Sequence, residues 1–319
     1  HLVRSGALAE ELLARGHDVT VATTTPQSAG EVFPDAAAVV DLPARDDPAP
    51  FVSWIESAEP DIAYTDAYPI DTTYQQAVRE RVPLAVWQDD ARHAVCADLF
   101  VNGNLYAADI DYEFVGQEPE TCLGTEYVLL RSEIRTLVSD DPPWRDPPER
   151  AVVTMGGSDA ANLTPAAVRA FDGTDLRIDV IVGPAFSSQQ EQEIERVVSS
   201  MSTDVRVARD PDNLPEWMFR ADFAVSTAST TTYELFALGT PVVSVQVADN
   251  QRLIATALRD RNLATVLNNH TSTDRFQQAV ATYVADTEFR RNCRDRGHTL
   301  VGGRGIHRAT ATLRGIANP

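Results

Sequence analysis

The chain holds 319 residues with a formal net charge of −20, and its 43% hydrophobic content is ample for two buried cores, in line with roughly 150 residues per domain. No run approaches the ~18 apolar residues of a membrane span, and no basic stripe is present to hold nucleic acid. Cys96, Cys122 and Cys293 are odd in number and form no CxxC or Cys/His cluster, so they read as free thiols of a reducing cytoplasm, with no structural metal site.

All 27 basic residues are Arg, Lys is absent, and 29 Asp stand against 18 Glu. This profile resembles proteins of salt-accumulating haloarchaea. At ~1 M salt the Debye length is only about 3 Å, so repulsion among carboxylates is screened. Such acidity reports habitat and leaves the activity open.

In chain order, "VRSGALAEELLARG" reads as a helix ending at Gly16, and "HDVTVATT" as a strand. A helix near 50–58, the strand "DIAYTD", a helix near 71–81 and the strands "PLAVWQDD" and "DLFVN" follow. The first readable element is a helix, whereas such a domain opens with its central strand. A strand and Gly-rich turn are therefore expected upstream of His1.

The segment "SDDPPWRDPPER", 139–150, carries four prolines and reads as a linker. Beyond it come the strand and glycine turn "RAVVTMGGSD", then "NLTPAAVRAF", a helix that tolerates Pro165 in its first turn. "LRIDVIVG", "DVRVA", "DFAVST" and "PVVSVQ" are strands; "SQQEQEIERVVSSM", "NLPEWMFRA" and "TTYELFALG" are helices. Helices near 250–260, 273–285 and 288–300 and the tail "GIHRATATLRGIA" complete the chain. Alternating strands and helices imply βαβ units and parallel sheets. The expected class is α/β, with two doubly wound Rossmann-like domains at 1–140 and 150–319 facing across a cleft. The last helix is a candidate to pack back on the first domain. Ligands of such sheets bind beyond the carboxyl ends of strands.

Two stretches carry candidate chemistry. In "TMGGSDAANLT", Gly156 and Gly157 let backbone approach a ligand, and a helix N-terminus nearby favours an anion; an ordinary βα turn has the same residues. GxGxxG is absent and there is no lysine for a Walker A loop, which weighs against nicotinamide and ATP. In "STTTYELFALGTPVV", Thr230, Thr231 and Thr232 sit where free N–H groups leave a helix, and Glu234 lies in its first turns. Those residues suit a phosphate and a pair of sugar hydroxyls, and equally a plain cap and a dipole-matched acid. Asn250 and Gln251, in "ADNQR", either orient a sugar or cap the next helix.

"GTEYVLLRSEI", "VTMGGSDAANLT", "NLPEWMFRADFAVSTASTTTYELFALGTPVV" and "VADNQR" together resemble the nucleotide-sugar hydrolase of pseudaminic acid biosynthesis, a relative of the glycosyltransferase that makes lipid II. The likeness implies a GT-B fold and hydrolysis of a UDP-linked deoxy-acetamido sugar. It implies His1 as the catalytic residue and Arg4 as its companion, a substrate-binding residue that would offset negative charge or else cap and pair on the surface. Tyr68, at the carboxyl end of the strand "DIAYTD" where site residues collect, is a second catalytic candidate or else an aromatic packed on a loop. The nucleotide sugar falls to Gly156, Gly157, Ser158, Asp159, Thr230, Thr231, Thr232, Glu234, Asn250 and Gln251. Ala228 and Ser229 stand where that family has a Gly-Gly pair, and Ala67 where it has a His. UDP departs without strong protonation, so one base to activate water and stabilisation of the diphosphate suffice. Imidazole, ordinarily near pKa 6.5, suits that base. No cofactor or metal is implied, and a monomer or weak homodimer is expected. Two competitors remain: a glycosyltransferase passing the sugar to an acceptor, and a non-catalytic nucleotide-sugar binder.

Overall fold

A computed structural model describes residues 1–139 and 141–317; Asp140 of the expected linker and Asn318 and Pro319 of the expected second domain lie outside the described residues. The chain divides into two units, one of His1–Ser132 with the residues from Gly303 onward, the other of Glu133–Gly302.

In the first unit α1 (Leu2–Ala14) precedes β1 (Thr20–Thr23), α2 (Pro26–Val32), β2 (Ala38–Asp41), α3 (Ala49–Ala58), β3 (Ala63–Thr65) and α4 (Thr72–Arg79). Then come β4 (Leu84–Trp87), β5 (Leu99–Asn102) and β6 (Glu120–Leu123), and α5 (Ser132–Arg135) lies at the division. Strands β3-β4-β5-β6 form one parallel sheet, while β1 and β2 pair separately. Four-residue strands β4 and β5 are buried throughout, which is why they read as short continuous apolar runs rather than alternating ones. The last helix, Gly305–Ala317, belongs to this unit: its Ile306, Ala309 and Leu313 share a core with Ala7 and Leu8 of α1.

The second unit runs β7 (Arg150–Thr154), α6 (Thr164–Arg169), β8 (Arg177–Val182), α7 (Ser188–Ser199), β9 (Asp204–Arg209) and α8 (Leu214–Arg220). It continues with β10 (Phe223–Thr227), α9 (Thr230–Ala237), β11 (Val242–Gln246), α10 (Arg252–Asp260), β12 (Thr265–Asn268), α11 (Thr273–Ala285) and α12 (Thr287–Leu300), and the helix at Gly305–Ala317 is α13. Its six parallel strands lie in the order β12-β11-β10-β7-β8-β9. The chain thus starts in the middle, winds outward one way, and returns to wind the other. The topological switch lies between β7 and β10, where a doubly wound sheet opens its binding crevice.

Strands β2, β6 and β12, and helix α2, escape the sequence reading. Each of those strands is four residues long, lies at a sheet edge and is largely exposed or half-buried, so neither alternation nor a long apolar run marks it. The proline-rich segment also differs from a free linker, because it packs within the second unit. Arg145 Nη1 donates to Asp222 Oδ1 at 3.0 Å, and the Trp144 ring lies 4.6 Å from the Arg290 guanidinium. Pro142 touches the space above Gly239, which ends α9 at φ +70°. A side chain there would meet both backbone strain and the Pro142 ring.

Candidate active site

In the first unit, loops at the carboxyl ends of β3 and β4 face the start of α1. Asp66 follows β3, Asp89 follows β4, and these strands are hydrogen-bonded neighbours. His1 Nδ1 lies 2.5 Å from Asp66 Oδ1. Arg4, one helical turn on, donates from Nε to Asp66 Oδ2 at 2.8 Å and from Nη2 to Asp66 Oδ1 at 2.5 Å. Its Nη1 donates to Asp89 Oδ1 at 2.7 Å, and Ser5 Oγ donates to Asp66 Oδ2 at 3.0 Å. Asn104 Nδ2 donates to the same Asp89 oxygen at 2.9 Å.

This geometry selects a tautomer. Arg4 Nη2 also lies 3.0 Å from His1 Nδ1, but a guanidinium has donors only, and a carboxylate acceptors only. The shorter contact to Asp66 puts the proton on Nδ1 and leaves the Nε2 lone pair of the neutral ring available. The imidazole is about one-third exposed, whereas the Asp66 side chain is only 3% exposed. Burial alone would raise the Asp66 pKa, yet the Arg4 guanidinium and His1 outweigh it and hold the carboxyl well below the usual range. Burial likewise works against the Arg4 charge, but Asp66 and Asp89 drive its pKa well above the ordinary value. The site therefore contains a carboxylate that is ionised at neutral pH behind a solvent-facing imidazole.

Tyr68 closes one side. Its ring meets the His1 ring edge-on, with centroids 4.5 Å apart and planes at 89°. Arg92 sits 3.9 Å over the Tyr68 ring and is tied to Asp90 at 2.6 Å. His1, Arg4 and Tyr68 are thus brought together. Arg4, expected to meet negative charge on a ligand, is instead a buried clamp between two carboxylates. Asp66 and Asp89 are the site residues that the sequence reading did not assign; the signal was an acid at the carboxyl end of each of two apolar runs, "DIAYTD" and "WQDD".

In the second unit the expected nucleotide residues collect at the switch point. Ser226 of β10 is in register with Thr154 of β7, so the Gly156–Gly157 turn and the start of α9 leave adjacent strands side by side. Thr227 Oγ1 is 3.9 Å from where a Cβ on Gly156 would stand, and Gly156 has φ +74°. Gly183, after β8, packs so closely that its own Cβ would fall 2.5 Å from the Gly157 carbonyl oxygen. Backbone therefore lines this edge, and Ser158 is exposed on it. At α9, Ser229 donates its N–H to Thr227 O at 2.9 Å and Thr232 donates to Ser229 O at 2.9 Å. Thr230 is exposed, Thr231 and Glu234 are half-buried, and the N–H groups of Thr230 and Thr231 lie at the open end of the helix.

Three expected contacts are placed differently. Asp159 is buried and accepts from Leu163 N, Thr164 N and Thr164 Oγ1 at 2.7–2.9 Å, so its carboxylate caps α6. Thr232 is fully buried, with Oγ1 3.3 Å from Thr227 O, because two positions on from exposed Thr230 a helix has turned toward the sheet. Gln251 Oε1 accepts from Val247 N at 2.8 Å and braces its own loop. Asn250 is exposed on that loop, one strand further from the switch point than the start of α9.

No family model matches this sequence. An uncharacterized protein of Methanocaldococcus jannaschii is 24% identical over 208 residues, which are 62% of this chain and 43% of that protein. The chain thus matches less than half the length of that relative. Among solved structures, MurG of Acinetobacter baumannii superposes with TM-score 0.69 at 13% identity, covering 98% of this chain and 96% of that one. CalG4, the calicheamicin glycosyltransferase, gives 0.68 at 16% identity over 98% and 94% of the two chains. Arabidopsis thaliana UGT89C1 complexed with UDP gives 0.66 at 14% identity over 98% and 96%. With parallel α/β sheets in both units, the second of them doubly wound, and these full-length superpositions, the chain has the GT-B fold.

Proposed function

We propose that the protein is an enzyme acting on UDP-sugars, and that it hydrolyses the anomeric bond of a UDP-linked deoxy-acetamido sugar of the kind used for pseudaminic-type or other surface glycans. The observation that carries this reading is the His1–Asp66 pair: a buried, ionised carboxylate fixes the Nδ1–H and leaves Nε2 at the surface as a base. Such an orienting acid is the usual support for a histidine that takes a proton from a nucleophile.

In the proposed reaction, water adds to the anomeric carbon and gives its proton to His1 Nε2. The bond from that carbon to the diphosphate oxygen breaks, and the electron pair leaves on UDP. Backbone N–H groups of the Gly156–Ser158 turn and the Thr230–Thr231 helix start supply the partial positive charge for the departing diphosphate. Glu234 accepts hydrogen bonds from the ribose hydroxyls, and Asn250 contacts the sugar from the neighbouring loop. Tyr68 holds the imidazole edge-on, and Arg4 acts through Asp66. The superposition on a UDP-bound fold supports the nucleotide assignment.

The test is UDP release from UDP-linked acetamido sugars in molar salt, with and without added acceptors. Release in water alone, lost by ~10²-fold or more in His1→Ala, is the expected result. Full activity in His1→Ala would refute the assignment of the base. Because CalG4, one of the superposed proteins, is a glycosyltransferase, strict dependence on an acceptor is the outcome that would assign transfer instead of hydrolysis.

A further inference from the structure

At the opposite end of the second unit's sheet, the amino ends of β7 and β8 carry Arg150 and Arg177 as directly paired neighbours. Their side chains share one face, as paired residues on adjacent strands do. Two positions further on, Asp179 of β8 pairs with Arg206 of β9. Helix α8 covers this corner with Trp217 and Arg220, and together with Asn213 these six residues line an open recess of about 180 Å³.

The charge balance here runs against the rest of the molecule. The recess gathers four arginines and one aspartate in a chain whose net charge is −20. Nearby acids are taken by other arginines. Asp222 pairs with Arg145 at 3.0 Å, Asp179 with Arg206 at 2.8 Å and Glu216 with Arg220 at 3.5 Å. Arg150 and Arg177 are left without an acid partner among the described residues, and the Arg177 Nε is buried with no hydrogen bond. Like charges directly across a sheet destabilise it by about 0.2–1 kcal/mol, and a buried unpaired N–H adds to that. Both penalties vanish if an anion bridges the pair. Arg206 is preset for such a site: its guanidinium stacks 3.5 Å over the Trp217 ring while Nε holds Asp179.

We propose that this recess is a second anion site, distinct from the nucleotide site, which binds a phosphate-type dianion between Arg150 and Arg177. Planar guanidinium forks match a tetrahedral oxyanion with several acceptor oxygens better than a halide, which offers no directional pair. The first and last residues of β7 separate the two sites by about 15–20 Å of strand and turn, so one phosphate cannot serve both.

The test is calorimetric titration of the full chain with inorganic phosphate at fixed, chloride-balanced ionic strength, repeated with saturating UDP. One saturable site that persists with UDP, and weakens at least tenfold in Arg177→Gln and in Arg150→Gln, is the expected result. A phosphate-induced change in fluorescence that is lost in Trp217→Phe places the anion at this recess. A parallel titration with glycerol phosphate separates sources: equal affinity assigns the free anion, and tighter binding assigns a phosphate monoester. The proposal is overturned if wild-type protein shows no saturable binding, if UDP displaces the phosphate, or if both arginine variants bind as wild type. The wild-type arms decide the matter even where a variant fails to fold. UDP-sugar turnover is not needed for any readout, so failure here leaves the proposed hydrolysis untouched.

Discussion

Replacing Asp66 with Asn keeps its shape and removes its charge. Asp66 accepts four hydrogen bonds, two on Oδ1 from His1 and Arg4 and two on Oδ2 from Arg4 and Ser5. An amide offers one acceptor oxygen and one donor NH₂. Ser5 can rotate to accept from the NH₂, and His1 can shift its proton to Nε2 to do the same, but Arg4 faces both positions and has only donors. Either orientation therefore sets one Arg4 N–H against an amide N–H. With charge-assisted bonds worth about 1.5–3 kcal/mol each and Arg4 still held by Asp89, the expected loss of stability is about 2–4 kcal/mol. If the NH₂ turns toward His1, the base is lost as well, and kcat should fall ~10²–10⁴-fold with little change in KM. The assays are urea unfolding and UDP-release kinetics in the same molar salt. A variant within about 0.5 kcal/mol of wild type that keeps full kcat would refute the buried-clamp reasoning.

Acid stability should follow the same carboxylate. Folding holds Asp66 below its unfolded value near ~3.9, so its contribution is complete above that pH and fades as pH falls through and below it; the stability gap between wild type and Asp66→Asn should narrow below about pH 4, measured by unfolding at each pH. Gly183→Ala puts a methyl 2.5 Å from the Gly157 oxygen and 2.6 Å from the Gly156 oxygen; a loss of about 1–3 kcal/mol in stability and weaker UDP binding by calorimetry are expected. Glu234→Gln should weaken UDP about tenfold while leaving affinity for inorganic diphosphate near wild type, since one charge-assisted bond to ribose is reduced. Thr232→Val should alter UDP affinity less than twofold, because its hydroxyl faces the interior, and cost about 1 kcal/mol in thermal unfolding.

The alternation of apolar runs and helical stripes already contained the α/β class and most central strands, because buried parallel strands must be apolar along their length. The glycine turn after β7 and the threonine run that opens α9 were legible for the same reason: their conformations favour small or hydroxylated residues. Edge strands β2, β6 and β12 were not legible, since half-exposed four-residue segments carry no pattern of their own. Nor did local sequence reveal that Asp159 and Gln251 spend their acceptors on neighbouring backbone, or that the proline-rich segment packs onto α9 and α12. By itself the sequence determined which residue types could bind and react, through periodicity and turn chemistry that act over a few residues. Only tertiary structure decided which of them meet: Asp66 and Asp89 reach Arg4 across 62 and 85 residues of chain, and Arg150 finds Arg177 only through strand register. Charge pairing depends on distances in space, and no spacing along a chain encodes those until the sheet has formed.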